Sequence, residues 1–369
     1  MKCCGIIFVK GIFRMIYMPM KKMIKTRKKI VYLSRQSNDK SLDMELLSDK
    51  IREKYPEYEQ IFRLRTLRMG PIGIIRYIAG LLGDMYHIAG ASVAVCDTYS
   101  IPISCLHHKK SLKVIQIWHA MGAVKKFGLQ SLGKKEGRDE KLSKAMDMHR
   151  NYDYVAAPSQ TMAKFYAEAF DTPLEKIVQY TLPRIDYVLD GKKKKQEFLE
   201  KNPEAAGKEI VLYLPTFRSG EEKIVEALQS AFKQDADMRL IISLHPFSTV
   251  PNKEDYQVHG GFSTYDLMKI ADHIITDYSA CVFEASLLGV PVWFYTPDYE
   301  RYTKNRGLNI HLKQEMRNYV FENAEDLYES MKKNEYDFED LQKFQKKYIG
   351  NTKSCTEKMA DFICKETEI

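Results

Sequence analysis

Short apolar runs alternate with amphipathic segments along most of this 369-residue chain, and their spacing predicts the elements of its fold. Continuous apolar runs indicate buried strands, whereas apolar residues that recur every three or four positions indicate helices. In the first half of the chain, β-rich runs are expected at 29–33, 91–96, 101–105, 114–118 and 152–156. Helices are expected at 42–54 and 159–170, and Ser159 is the expected N-cap of the second.

The alternation begins again after a charged stretch at 192–202, KKKKQEFLEKN. Strands are expected at 210–214, 239–244, 273–276 and 292–295, and helices at 223–233, 263–271 and 279–288. Strands that alternate with helices of this length are typical of parallel βαβ units. We therefore predict an α/β protein of GT-B-like architecture, in which two Rossmann-like doubly wound domains face a central cleft. The predicted divisions are an N-terminal segment (1–29), a first domain (30–191), a second domain (192–323) and C-terminal helices (324–369).

The N-terminal segment is strongly basic. Residues 1–29 carry nine Lys or Arg and no acidic residue, and 5–20 are mostly apolar, interrupted by Lys10 and Arg14 on one helical face. This stretch is shorter than the ~20 apolar residues that span a bilayer, and it lacks the cleavage site of a secretory signal. We expect a basic amphipathic helix that lies on an anionic membrane surface, with a solvated basic terminus as the alternative. The apolar segment 71–94 is expected to be a helix, either in a core or against the membrane.

Overall charge and cysteine content narrow the classes of partner and compartment. The net charge of +8 comes from 57 basic and 49 acidic residues, which suits an anionic partner such as a phosphate or a lipid headgroup. The basic excess is concentrated at the N-terminus and is not interleaved with aromatic residues, which argues against nucleic acid. The seven cysteines are scattered, as is usual in a reducing compartment, so we expect a cytoplasmic location. Neither a metal nor a dinucleotide cofactor is expected, because no metal-binding or glycine-rich nucleotide motif occurs.

Candidate chemical groups stand just beyond the predicted strands, at the edge where parallel sheets bind ligands. The first group lies in WHAMGAVKKFG, residues 118–128. His119 is placed to act as a general base near neutral pH, and Lys125 and Lys126 are placed to attract a phosphate. A lone histidine is more often structural than catalytic, but the small residues that follow this one leave room for a substrate.

Two more strand ends carry polar residues in the second half of the chain. The motif YLPTFR offers Thr216 and Arg218 to a phosphate or a ribose, although an exposed loop arginine is an equally good interpretation of Arg218 alone. The motif LHP offers His245, which can donate to a phosphoryl oxygen and so stabilise charge on a leaving group.

A fourth strand ends at Asp277 within TDYSACVFEASLLGVPVWFY. Ser279 is expected at the start of the next helix, where free backbone N–H groups bind an anion, although an ordinary N-cap is the simpler interpretation. Glu284 lies farther along that helix and could reach a ribose hydroxyl. Arg306, after an aromatic-rich stretch, is a weaker candidate to close over a donor.

In four motifs the chain resembles the CDP-glycerol glycerophosphotransferase family of teichoic acid synthesis, the TagB/TagF type. The motifs, in order, are WHAMGAVKKFG, YLPTFR, LHP and TDYSACVFEASLLGVPVWFYTPDYE, and the resemblance runs over about 90–310. It implies a phosphotransferase without a cofactor, attached peripherally to the cytoplasmic face of the cell membrane. The implied donor is CDP-glycerol or CDP-ribitol in the second domain. The implied acceptor, on the side of the first domain, is an undecaprenyl-linked saccharide or a growing teichoic acid chain.

The resemblance also implies roles for individual residues. His119 matches the proposed base of the family's WH motif, and His245, Asp277 and Ser279 match its donor-site residues. The chain departs from the family at Ala120, where many members carry glycine. Two alternatives stay open at this point: a GT-B glycosyltransferase that uses a nucleotide sugar, and a non-catalytic protein that binds membranes or nucleic acid.

Overall fold

The chain folds into two compact units in a computed structural model. This structure describes residues 2–67, 70–191, 194–218, 220–245, 248, 250–251 and 261–365, with side chains from residue 5 onward. The first unit comprises Met1–Met121, Lys126–Asp186 and Gly350–Ile369, and the second comprises Gly122–Lys125 and Tyr187–Ile349. The chain therefore leaves the first unit twice and returns to it twice.

The first unit is built around a parallel sheet of six strands among the described residues. These strands are β1 (Arg27–Ser34), β2 (Glu59–Leu64), β3 (Ala91–Cys96), β4 (Lys113–Gln116), β5 (Tyr154–Ala157) and β6 (Ile177–Gln179). The helices up to the end of this part are α1 (Lys2–Met23), α2 (Leu42–Lys54), α3 (Pro71–Ala89), α4 (Ile101–Cys105), α5 (Glu140–Ala145), α6 (Gln160–Phe170) and α7 (Arg184–Val188). Ser159 caps α6 as expected, because its side chain accepts from the backbone N–H of Met162.

The strand order β2-β1-β3-β4-β5-β6 is that of a doubly wound sheet, in which the direction of winding reverses between β1 and β3. The two strands pair in parallel, with Leu33 beside Cys96 near their carboxyl ends. Strand β3 is buried along its whole length, as strands of parallel sheets are when helices cover both faces. Ligands of such sheets bind at the reversal point, so the residues that follow Ser34 and Cys96 are the first candidates for a site.

One predicted strand is wrong. Residues 101–105 form helix α4, not a β-rich run, and Pro102 lies in its first turn. Proline suits that position because its fixed φ fits a helix and the first turn needs no N–H donor there. The apolar run by itself could not distinguish a short buried helix from a strand.

Helix α1 packs against the first unit through its central cations. Lys10 Nζ donates to Asp147 Oδ2 at 2.6 Å, and Arg14 Nε donates to the backbone carbonyl of Cys105 at 2.9 Å. Tyr17 is buried, and its hydroxyl contacts His108 Nδ1 at 3.0 Å. Lys10 and Arg14 therefore hold the helix on the protein. No helix in the described part of the chain is long and apolar enough to cross a membrane.

The second unit contains a second parallel sheet, with five strands in the part of the chain that the structure describes. They are β7 (Glu209–Leu214), β8 (Met238–Ile242), β9 (His273–Thr276), β10 (Val292–Tyr295) and β11 (Val320–Phe321). The helices are α8 (Lys195–Lys201), α9 (Glu221–Phe232), α10 (Thr264–Ile270), α11 (Cys281–Ser286), α12 (Tyr299–Asn305), α13 (Leu312–Glu315), α14 (Ala324–Lys332) and α15 (Glu339–Tyr348). The strand order β11-β10-β9-β7-β8 reverses between β7 and β9, so this sheet is doubly wound as well.

The last helix, α16 (Cys355–Lys365), belongs to the first unit, whereas α14 and α15 belong to the second. Lys54 Nζ on α2 donates to Asp361 Oδ2 at 3.0 Å, and the Tyr58 hydroxyl donates to the carbonyl of Cys364 at 3.0 Å. The carboxylate of Asp186 accepts from the first two N–H groups of α16, at 2.9 and 2.8 Å. The expected C-terminal segment 324–369 is thus divided between the units.

Candidate functional site

His119 lies at the carboxyl edge of the first sheet, three residues after β4. The preceding residue, Trp118, has a left-handed φ of 57°, and its N–H donates to Gln116 Oε1 at 2.9 Å. A bulky residue in this conformation is costly and is held only where its surroundings fix it. The fully buried Gln116 amide also donates to the Tyr152 hydroxyl and to the carbonyl of Thr98. The turn that presents His119 is therefore rigidly supported.

The orientation of the His119 ring is set by the residue that follows β3. Nδ1 of His119 lies 3.0 Å from the backbone carbonyl oxygen of Asp97. A carbonyl can only accept, so Nδ1 carries the hydrogen and the neutral ring has its lone pair on Nε2. This contact gives His119 the tautomer that a general base acting through Nε2 requires.

The carboxylate of Asp97 is a buried group that the sequence motifs did not single out. Its residue is 3% exposed, and Oδ1 has no hydrogen-bond partner among the described residues. Burial raises the pKa of Asp97 to about 6, with a smaller contribution from the charge of Asp43, while Ser34, Thr98 and Arg184 oppose the rise. Asp97 follows the apolar run ASVAVC directly, so the rule that found Asp277 could have found it as well.

A buried ion pair holds the main chain at His119. Nη2 of Arg184 donates to the carbonyl of His119 at 3.1 Å, and the same nitrogen forms a very short contact with Asp43 Oδ2. Arg184 Nε donates to Asp43 Oδ2 and its backbone N–H to Asp43 Oδ1, both at 2.8 Å. Both residues are at least nine-tenths buried. A guanidinium fixed by three such contacts, on a residue whose backbone N–H makes a fourth, is a precise support for the histidine loop.

In the second unit, Asp277 is the centre of the reversal point between β7 and β9. It is fully buried, and Oδ1 accepts from the Thr216 hydroxyl at 2.7 Å, the Thr216 N–H at 2.9 Å and the Ser279 N–H at 3.1 Å. Nη1 of Arg218 forms a very short contact with Oδ2. These bonds join the loop after β7 to the loop after β9. Asp277 therefore organises both loops, and in this arrangement the Ser279 N–H is directed to Asp277.

Arg218 is buried and does not project from an exposed loop. Its side chain is 3% exposed, and its Nε lies 3.3 Å from Asp298 Oδ2, a carboxylate that follows β10. The guanidinium carbon lies 5.3 Å from the centre of the Tyr278 ring, which itself stacks on Tyr302. Burial disfavours the charged form of Arg218, but Asp277 and the other acidic groups outweigh it and raise its pKa.

Lys125 is carried into the second unit by a short extended segment. Residue 125 forms an antiparallel bridge with Leu308, and the N–H groups of Asn309 and Ile310 donate to the carbonyl of Val124 at 2.8 and 3.1 Å. Gly122 begins the segment, and a β-carbon there would lie 2.3 Å from the Phe283 ring, so only glycine fits. Lys126, next along the chain, belongs to the first unit.

Lys125 interacts electrostatically with Arg218, Arg306 and His245 of the second unit. Burial lowers the pKa of Lys125 to about 8; Arg306 and Arg218 add to the lowering, and Asp277 opposes it. The His245 residue is exposed, but partial desolvation of its ring lowers its pKa, and the positive charge of Lys125 lowers it further. His245 also stacks on Phe217, with ring centres 5.9 Å apart. A lysine held among other cations indicates a site for an anion, because an anion would restore its ordinary pKa.

Ser279 and Glu284 follow β9, but the start of the next helix differs from the expected one. Helix α11 begins at Cys281, two residues after Ser279. It has only six residues, so its dipole contributes little to the binding of an anion. The Ser279 hydroxyl accepts from the N–H of Cys281 at 3.4 Å, which is an Asx-like turn ahead of the helix and not an N-cap in the usual sense. Glu284 is buried on α11. Among the described residues, no group of three or more His, Cys, Asp or Glu could hold a metal ion.

Comparison with known proteins agrees with this architecture and these motifs. A teichoic acid ribitol-phosphate primase of Bacillus spizizenii is 30% identical over 385 aligned positions, which cover 96% of each chain. A teichoic acid poly(ribitol-phosphate) polymerase of the same species is 26% identical, and the match covers 86% of this chain but 52% of that protein. The solved structure of the wall teichoic acid polymerase TagF has a TM-score of 0.71 at 18% identity, over 99% of this chain and 97% of that one, which confirms the GT-B-like fold. The family model described as CDP-glycerol:poly(glycerophosphate) glycerophosphotransferase matches residues 15–365, and this chain belongs to that family.

Proposed function

We propose that this chain transfers glycerol phosphate or ribitol phosphate from a CDP-alditol to a hydroxyl of an undecaprenyl-linked saccharide or growing teichoic acid chain, and releases CMP. The observation that carries the proposal is the match of residues 15–365 to this family, and the lowered pKa of Lys125, on which the charges of Arg218, Arg306 and Asp277 act, supports it. A CDP-alditol presents two negatively charged phosphates, and such a charge is what the lowered pKa of Lys125 indicates.

In this proposal the second unit binds the donor. Lys125 and Arg306 contact the diphosphate, and His245 donates to the phosphate that stays with cytidine. Asp277 and Arg218 are positioning residues, since both are buried and hold the loops that carry Thr216 and Ser279. Ser279, Glu284 and Lys126 remain proposed substrate-binding residues.

His119 is the proposed general base. Its Nδ1–H is held by the carbonyl of Asp97, which directs the lone pair of Nε2 to the acceptor hydroxyl. The hydroxyl oxygen attacks the phosphorus that bears the alditol and forms a new P–O bond. The bond from that phosphorus to the bridging oxygen breaks, CMP leaves with the electron pair, and the hydroxyl proton passes to His119. Such help from a base accounts for about 10²–10⁴-fold of the rate.

Replacement of the base tests the reaction. We expect His119→Ala to lose turnover by at least two orders of magnitude, while the affinity for CDP-glycerol stays unchanged, measured by CMP release and by calorimetric titration. His107→Ala is the matched control, because His107 is an exposed histidine of the same unit. Near-normal turnover in His119→Ala would overturn the assignment, and so would an equal loss in the control.

Donor and product measurements separate the remaining alternatives. CMP release from CDP-glycerol or CDP-ribitol, with no transfer from UDP-sugars, is the expected result, and transfer from a nucleotide sugar would favour the glycosyltransferase alternative. We propose addition of a single unit, as expected of a primase, because the ribitol-phosphate primase matches over 96% of both chains. The poly(ribitol-phosphate) polymerase is matched over only 52% of its length. Long products on a defined lipid acceptor would refute this part.

The proposed location is the cytoplasmic face of the cell membrane, with peripheral attachment. Helix α1 exposes Phe8 (71%) and Met15 (67%), and α3 exposes Ile72 (68%) and Ile75 (66%). Exposed basic residues follow at the end of α1 and just after it: Lys22, Lys25, Arg27 and Lys28. Apolar side chains beside cations suit the interface of an anionic bilayer. We expect co-sedimentation with vesicles that contain phosphatidylglycerol, and loss of it in Phe8→Asp, whereas binding that is unchanged in this variant would contradict the proposal.

A further inference from the structure

An apolar groove runs between α1 and α3 in the first unit. It has a volume of about 480 Å³, within the range of small-molecule sites, which is roughly 300–1,000 Å³. Its lining residues are almost all apolar: Gly5, Ile6, Val9, Phe13, Tyr77, Ile78, Leu81, Ile101, Cys105 and Met146, with Lys10. Val9 and Ile78 are more than 40% exposed, so the groove is open to solvent, and Phe8 and Ile72 are exposed on the same two helices.

Three arginines lie beside this groove, around a single carboxylate. Arg63 Nε donates to Asp84 Oδ1 at 2.8 Å, and Arg65 donates to both Asp84 oxygens at 2.5 Å. Arg35 lies over the ring of Tyr77, with its guanidinium carbon 5.6 Å from the ring centre. Its Nε is buried and has no hydrogen-bond partner among the described residues. Three guanidinium groups against one carboxylate leave this cluster with two excess positive charges.

The groove and the arginine cluster adjoin each other. Tyr77, Leu81 and Ile101 line both the groove and the small cavity among the arginines. That cavity, about 10 Å³, holds roughly one water, so a larger anion contacts the cluster from outside. The side chains of Arg63 and Arg65 are 26% and 18% exposed, which makes such a contact possible.

We propose that the groove and the arginines together bind the lipid end of the acceptor, an isoprenoid chain linked to a diphosphate; this inference rests on the proposed function. The isoprenoid units nearest the diphosphate occupy the groove, and the diphosphate lies against Arg35, Arg63 and Arg65. A diphosphate that links a lipid to a sugar carries two negative charges, which match the two excess positive charges of the cluster. A membrane phospholipid with one phosphodiester carries only one and is the poorer match.

The cluster also lies on the edge of the sheet that the proposed chemistry requires. Arg35 follows β1 directly, and its N–H donates to the Thr98 hydroxyl at 3.1 Å. Thr98 is the neighbour of Asp97, whose carbonyl holds the His119 ring. The diphosphate and the proposed base therefore lie along one carboxyl edge of the first sheet. This arrangement leaves the saccharide to extend from the diphosphate toward His119.

Binding of farnesyl diphosphate tests the inference, with inorganic pyrophosphate, farnesol and phosphatidylglycerol micelles as comparisons. We expect the full-length protein to bind farnesyl diphosphate at least tenfold more tightly than the other three. Ile78→Asn should lower the affinity for farnesyl diphosphate at least tenfold. Ile72→Asn is the control, because Ile72 is also exposed on α3 but lies outside the groove, and it should leave this affinity unchanged. Arg35→Gln should weaken the binding of farnesyl diphosphate and of pyrophosphate alike, and it leaves both arginine partners of Asp84 in place. Melting temperatures check that each variant is folded.

Three outcomes overturn the inference. They are equal effects of Ile78→Asn and Ile72→Asn, pyrophosphate binding as tight as farnesyl diphosphate binding, and phosphatidylglycerol binding as tight as farnesyl diphosphate binding. The last would make the surface a general membrane contact. CDP-glycerol affinity is measured in the same samples: if it is normal while the prenyl results fail, only this inference falls, and if wild-type protein binds no CDP-glycerol, the proposed function falls.

Discussion

Donor affinity should depend on the protonation of Lys125. Burial lowers the pKa of this lysine to about 8 in the free protein, and a bound diphosphate raises it again, so donor binding takes up a proton. Affinity is therefore fully present well below pH 8 and is lost as the pH rises through 8. With a pKa of about 8, roughly 90% of the lysine is protonated at pH 7 and roughly 10% at pH 9. The affinity for CDP-glycerol should fall by at most about tenfold over that range, or ~1.4 kcal/mol.

Lys125→Arg separates this cause from others, because arginine keeps its charge over the whole range. We expect the affinity of this variant to be flat between pH 7 and pH 9, measured by calorimetric titration with CDP-glycerol. The phosphodiesters of the donor do not titrate there, and the lowered pKa of His245 keeps it neutral throughout. Cys281, whose thiol faces Lys125, is replaced by serine in both proteins as a control. A flat wild-type profile, or an undiminished fall in Lys125→Arg, would refute the reasoning.

Four further outcomes follow from the ion pairs. Arg184→Gln leaves the Asp43 carboxylate buried without its partner and should cost about 3–5 kcal/mol in stability by thermal unfolding. The double variant Arg184→Gln/Asp43→Asn should recover most of the stability but not the rate of CMP release, because the hydrogen bond from Arg184 to the His119 carbonyl is still missing. Full recovery of the rate would show that Arg184 is not a positioning residue. Asp277→Asn should lower both the melting temperature and the donor affinity. By contrast, Arg301→Ala removes an exposed arginine from its pair with Asp298 and should change stability by about 0–1 kcal/mol.

Strand ends were the part of the site that the sequence could reveal. Asp277 and His119 stand out because an apolar run stops just before each of them, and the structure has both at the carboxyl edge of a sheet. The same pattern marks Asp97, which directly follows an apolar run but lies outside the four motifs. Residues 101–105 show the limit of the rule, because five apolar residues fit a short buried helix as well as a strand.

Partners distant in sequence could not be predicted. The interpretation of Arg218 as an exposed loop arginine is wrong, because the residue is buried against Asp277 and Asp298. These partners lie 59 and 80 positions away, and no local pattern records that pairing. Lys125 is joined to the second unit by a bridge to Leu308 and by a hydrogen bond from Asn309, residues more than 180 positions away. Such contacts depend on how the whole chain folds, so the types of residue were predictable while their pairing was not.

The return of α16 to the first unit has a consequence for synthesis of the protein. Most of the first unit precedes the second unit in the chain, yet it lacks α16 and the partners of Lys54, Tyr58 and Asp186 until α16 is made. Translation from Asp186 to Gly350 takes roughly 10–30 s at the usual ~5–20 residues per second. During that interval the second unit can fold on the ribosome while the first remains incomplete, with its apolar helix surface available to chaperones or to the membrane. The domain that is made first is thus the one that finishes last.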